Sequence, residues 1–173
     1  MFKKFSLLFI AASLTACGTF QSVVKSAFPY TANLVVPISA EPGKQAEVTA
    51  MSQSFDQKFS KDGNNAYKIE HVHVSSARIE ADNPSDFNIG NIASIKVYLS
   101  KEDGGNEVLV AQRTDIGPNV GKNLVLDADQ SAMLDKLVRL PRLKVRMQYT
   151  LRNRLNMDAT LHLALNMSAK AAE

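Results

Sequence analysis

The sequence predicts a mainly β, antiparallel fold: a β-sandwich of about seven or eight short strands with one short helix, or alternatively a partly open β-barrel. Three observations carry this. From Tyr30 onward the apolar residues recur mostly at every second position, the period of a half-buried strand. Turn-forming clusters such as Glu41-Pro42-Gly43-Lys44, Asn83-Pro84-Ser85-Asp86 and Asp103-Gly104-Gly105-Asn106 punctuate these runs. Only one long segment, beginning at Asp127, switches to helical spacing.

Taken in order, residues 34–39 and 46–52 read as two strands around the first turn, with Pro37 favouring an edge position. Residues 55–63 suit a loop or a single helical turn. Residues 68–80 alternate, which places Val72 and Val74 on one face, His71 and His73 on the other, and Glu70 on the face opposite His71 if the period holds. Residues 92–100 and 107–113 form a hairpin about Gly104-Gly105, and 123–126 follow as a short strand after the Gly117–Gly121 loop. The helix is expected next: Asp127 as N-cap with Gln130 three residues on, an apolar stripe of Met133, Leu134, Leu137 and Val138, and Pro141 as the stop. The last two strands alternate most clearly. Leu143, Val145, Met147, Tyr149 and Leu151 face inward against Lys144, Arg146, Gln148, Thr150 and Arg152. Ala159, Leu161, Leu163, Leu165 and Met167 form the second inward row.

Ahead of this domain the chain has a different character. Lys3 and Lys4 precede a short apolar run, and Leu14-Thr15-Ala16 stand directly before Cys17, the only cysteine. A charged start, a short apolar stretch and small residues at the cut describe a cleavable signal peptide over residues 1–16, too short to span a bilayer. Leu14-Thr15-Ala16-Cys17 resembles the lipobox of bacterial lipoproteins. That resemblance implies cleavage before Cys17, diacylglycerol on its sulfur and usually a further acyl chain, such as palmitate, on its amino group. Two or three chains hold a protein on a membrane where a single myristoyl chain binds only marginally. Gly18 stands where an aspartate would resemble an inner-membrane retention signal, so the expectation is the outer membrane, facing the periplasm. Residues 17–30 read as a lipidated tether, in which Phe20, Val23, Val24, Ala27 and Phe28 could line a short interfacial helix or dock loosely on the domain at 31–173.

Cleavage would leave 157 of the 173 residues, enough for one domain with a core, and would lower the formal charge from +3 to +1 as Lys3 and Lys4 depart. Little charge and an envelope location speak against a nucleic-acid partner. With Cys17 acylated, no cysteine remains for a disulfide, a thiol nucleophile or a zinc cluster.

Candidate chemistry is sparse, and no cofactor is expected. His71 and His73 share a spacing that can clamp a metal, but a catalytic zinc site needs a third protein ligand, and His162 is the only other histidine. There is no nucleophile elbow and no phosphate-cradling glycine loop. The basic cluster is denser: Lys136, Arg139, Arg142, Lys144, Arg146, Arg152 and Arg154 lie within nineteen positions, with Asp135 the only acid at the border. Arg142, Lys144, Arg146, Arg152 and Arg154 are therefore candidates for an anion or partner patch, unless acids from neighbouring strands balance them. The leading expectation is a non-enzymatic envelope module that binds a protein partner. A carrier or sensor of a lipid-like or anionic ligand, with Met147, Met167 and Met133 as a pliable lining, is the alternative, and a hydrolase or metalloenzyme the third.

Overall fold

A computed structural model describes residues 23–25, 29–53 and 68–172. The expected loop at 55–63, Cys17 and the leader lie outside these residues.

Each alternating run becomes a strand. In chain order they are β1 Val23–Lys25, β2 Tyr30–Val36, β3 Gln45–Gln53, β4 Ile69–Asn83, β5 Ile92–Ser100, β6 Val108–Arg113, β7 Asn123–Ala128, β8 Arg142–Leu151 and β9 Ala159–Ala171. Strand β2 starts four residues earlier than expected and stops before Pro37, where turns at Ile38-Ser39 replace the anticipated strand end. All nine strands belong to one antiparallel sheet in the order β1-β9-β2-β3-β8-β5-β6-β7-β4, and β4 pairs back onto β9. Strands β2 to β9 therefore close a ring of eight: of the two architectures expected, the barrel is the one that forms.

The ring is not uniform. Strand β8 pairs with β3 over nine aligned residues and with β5 along most of its length, while β9 pairs along both its edges. Two seams are thin, β2–β3 with one aligned pair (Thr31 with Gln53) and β6–β7 with two. The barrel is thus flattened into two well-paired four-stranded halves, β3-β8-β5-β6 and β7-β4-β9-β2, which gives it much of the character of a sandwich.

Strand β1 falls inside the segment expected as tether. It lies on the same edge of β9 as β2, with Val23 opposite Lys170 and Lys25 opposite Ser168.

The inward rows of every strand meet in one core. Leu143, Val145, Met147, Tyr149 and Leu151 of β8 and Leu161, Leu163, Leu165 and Met167 of β9 are all essentially buried, packed with Val74, Ile79, Ile95, Val97 and Leu99. Eight strands leave an interior that side chains fill, and these side chains fill it.

The expected helix does not form. Asp127, its intended N-cap, is instead paired in β7 opposite Gln112. The capping chemistry occurs two residues later, where Asp129 Oδ1 accepts from the Ser131 backbone N–H at 2.9 Å and hydroxyl at 2.6 Å. These hydrogen bonds hold the Asp129 carboxyl below its ordinary value. Residues 129–141 then cross one end of the barrel as successive turns, with Leu134 N–H donating to Val72 O at 2.7 Å and Leu137 N–H to Leu134 O at 2.9 Å. Leu134, Leu137 and Val138 plug that end at 0–3% exposure, whereas Met133 stays 49% exposed. Burial of the apolar stripe wins over helix propensity, because a plug needs to aim three side chains into one opening. A 3-10 turn does form elsewhere, at Ile89–Asn91.

If this plug is structural, Leu134→Ala costs about 2–5 kcal/mol of stability, the range for emptying a buried leucine site. Met133→Ala, from the same expected helical stripe, stays within about 0.5 kcal/mol. Urea unfolding of the two variants separates a turn-built plug from a helix that would bury both.

Candidate functional site

The basic cluster is built on β8, the middle strand of its half. Arg142, Lys144 and Arg146 project from its outer face between β3 and β5, because alternation sends the intervening Leu143 and Val145 into the core. Acids arrive from elsewhere in the chain. Arg146 forms a two-pronged pair with Glu107, Nε to Oε1 at 2.7 Å and Nη2 to Oε2 at 2.6 Å, and its third nitrogen donates to Glu47 Oε2 at 3.0 Å. Its guanidinium also lies over the Tyr98 ring, 4.2 Å from the centroid. With the Arg146 side chain only 19% exposed, this is the best-shielded charge network described on the surface.

The electrostatics follow the geometry. The Arg146 hydrogen bonds hold the Glu107 carboxyl below the ordinary glutamate value of 4.5, with the Arg146 and Lys144 charges adding to the effect against some desolvation. The same pairing pushes Arg146 further toward its charged form. Arg142 donates to Glu102 Oε1 at 2.6 Å, but both side chains are about half exposed, so this pair contributes little. A stretch that reads as strongly basic is thus a face on which Glu47, Glu102 and Glu107 stand against Arg142, Lys144 and Arg146. Each of the three guanidinium nitrogens of Arg146 already donates to a glutamate.

Arg152 does something else. Strand β8 ends at Leu151, so Arg152 leaves the face it was expected to share, and its side chain donates to the carbonyls of Gly90 (3.1 Å) and Ile116. Its own backbone N–H reaches Asn91 O at 2.7 Å. Arg152 therefore ties together three loops at the end of the barrel opposite the plug. Asn88 completes the tie: Oδ1 accepts from the backbone N–H of Gly90 and of Gly121, both at 3.0 Å, and Nδ2 donates to Pro118 O at 2.7 Å. Gly90 is required here, because a Cβ would fall 2.2 Å from Pro118 O. Sequence reasoning missed Asn88 and Gly90. The Asn-x-Gly spacing of an Asx turn was the signal available.

Arg154 is exposed and Lys144 partly exposed, and among the described residues neither makes an ion pair. Arg152 apart, they are what remains of the candidate patch outside an ion pair, and Arg154 lies three residues beyond the end of β8.

The histidines are rearranged by a bulge. Pairing between β4 and β9 slips between Glu70 and His73, and His71 adopts a left-handed φ of 54°. The simple alternation fails, and Glu70 joins His71 on the outside, with Oε1 and Nε2 3.8 Å apart. His73 Nδ1 lies 2.9 Å from His71 O. His162 pairs with Asn33, Nδ1 to Oδ1 2.8 Å, and sits opposite Glu80 on β4. That is six residues along β9 from the partner of His73, roughly 20 Å. Among the described residues no three His, Cys, Asp or Glu side chains gather as a metal site. Met147 and Met167, candidates for an apolar lining, are fully buried in the packed core, and Met133 lies outside it.

No protein-family model matches this chain, and no curated protein does. Among solved structures, one of Desmodium yellow mottle tymovirus overlaps with a TM-score of 0.29 and 10% identity, covering 97% of this chain and 95% of that one. The empty head of turnip yellow mosaic virus gives 0.26 and 9%, over 97% of this chain and 90% of that one. A carbohydrate-binding module from the β-sandwich superfamily gives 0.29 and 13%, over 86% and 57%. Overlaps this slight carry no argument about what the chain does.

The Arg146 network has a pH signature. A carboxyl depressed in the folded state contributes stability that is present above its unfolded value and lost as pH falls through the folded one. Arg146→Ala should therefore cost about 1–2 kcal/mol near neutrality, and the gap from the unsubstituted protein should narrow as pH drops below the ordinary glutamate range. Urea unfolding across a pH series reads this directly; a gap that does not change with pH would show that Glu107 is not the partner that matters.

Proposed function

We propose that the protein is a lipid-anchored, non-enzymatic binding or assembly module of a bacterial cell envelope, held at the outer membrane with its domain in the periplasm. The observation that carries this is the order Lys3-Lys4, apolar run, Leu14-Thr15-Ala16-Cys17 in a chain with no other cysteine. The domain supports it in a second way. Arg142, Arg146 and Arg152 are spent on glutamates and loop carbonyls, as a scaffold requires, while the interior is filled by side chains. A lipid anchor makes such a scaffold useful by raising its effective concentration for partners at the same membrane. Among the described residues no helix is long and apolar enough to cross a membrane, and the anchoring proposed here needs none.

Cys17→Ser should move the protein from the membrane fraction to the soluble one while leaving its unfolding curve unchanged. A variant that stays membrane-bound after a salt wash would refute the anchor. Partner binding has its own test, in which Lys144→Ala with Arg154→Ala should leave stability within about 0.5 kcal/mol. If these uncommitted cations meet an acidic envelope protein, in-cell crosslinking to that protein falls; unchanged crosslinking assigns the contact to another surface.

A further inference from the structure

We infer that the plugged end of the barrel stands on the bilayer, so that the loops braced by Arg152 and Asn88 point away from it. The inference rests on the lipid anchor proposed above and adds to it an orientation, which comes from β1. Without that strand the chain from Cys17 would run free to Tyr30, thirteen residues that could span roughly 45 Å. Pairing of Val23, Val24 and Lys25 with Lys170, Ala169 and Ser168 leaves six residues from Cys17 to the sheet, at most roughly 20 Å.

The place where β1 docks is what turns a short tether into an orientation. Val23 lies opposite Lys170, which is itself paired with Glu70 at the start of β4. The β4 bulge that follows carries Val72, the acceptor for Leu134 of the plug. So the tether, the last residues of β9 and the 129–141 segment share one end of the barrel. The opposite end, where Met157 and Ile38 are each 49% exposed, begins at Ala159, eleven residues along β9 from Lys170, or roughly 35 Å. A tether of 20 Å cannot bring that far end to the headgroups while the near end swings away, unless the domain lies flat. At the near end Val23, Lys25, Lys68 and Lys136 are all exposed, a surface that a headgroup layer accepts.

The test uses the acylated mature protein, beginning at Cys17, reconstituted in phosphatidylcholine vesicles, whose zwitterionic headgroups keep net charge attraction out of the result. With Cys17 occupied by lipid, Lys136→Cys and Met157→Cys each give a single labelling position, one at either end and neither in the tether. Energy transfer from the label to acceptor-tagged headgroups should be several-fold greater at position 136 than at 157. Equal transfer from the two ends, or more from 157, overturns the orientation. A flexible Gly/Ser spacer of about twelve residues between Gly18 and Thr19 adds roughly 20 Å of reach and should shrink the difference. A difference that survives the spacer would show that β1 does not set the orientation. Protein that fails to join the vesicles at all counts against the anchor instead, so the two ideas fail in different ways.

Discussion

Strand β9 is the member on which the rest of the structure depends, because it pairs along both edges. On one side it carries β4 for most of its thirteen residues; on the other it carries β2 and then β1 in line. Closure of the ring is the consequence. A sheet with β4 unpaired on one side would expose a fifteen-residue edge, a template for association with other chains. Pairing onto β9 removes that edge and sets the two halves face to face, which lets one continuous core form instead of two apolar surfaces. Bulges at three points along β4 absorb the twist that closure demands, and one of them puts His71 into a left-handed conformation.

Local pattern and long-range pairing were unequally legible in the sequence. Period-two alternation located eight strands and both inward rows of the last two, because the side chains of a half-buried strand must alternate wherever its neighbours lie. Closure was not legible, since whether β4 meets β9 depends on two segments some ninety residues apart, and alternation is the same in a sandwich and a flattened barrel. The segment after Asp127 shows how a true signal can mislead. Of the stripe Met133, Leu134, Leu137 and Val138, the last three are buried and Met133 is not, because helical spacing is one way of several to deliver three side chains to one opening. The bulge at His71 left no trace either, because a single extra residue is invisible to a count of apolar positions.

The basic cluster was legible as composition and misleading as electrostatics. Seven cations within nineteen positions are plain in the sequence; Glu47, ninety-nine residues before Arg146, and Glu107, thirty-nine before it, are neighbours only in the fold. Arg146 uses its fork to join β3, β8 and the β5–β6 connection, and Arg152 uses the same fork on two loop carbonyls. Both arginines are thereby bound into the scaffold, and the surface left for partners is smaller and more neutral than the sequence alone suggests. A nearly charge-balanced barrel suits the proposed role, in which a tethered domain positions or holds other envelope components near a membrane. Its specificity would then reside in loop surfaces more than in a preformed charged patch.

The central claim is the covalent anchor, and the most direct measurement is the mass of the amino-terminal peptide from protein purified out of bacterial membranes. The account predicts a peptide that begins at Cys17 and carries a diacylglyceryl group, with or without a further acyl chain on its amine. A peptide that retains residues before Cys17, or one with an unmodified Cys17 thiol, would contradict it.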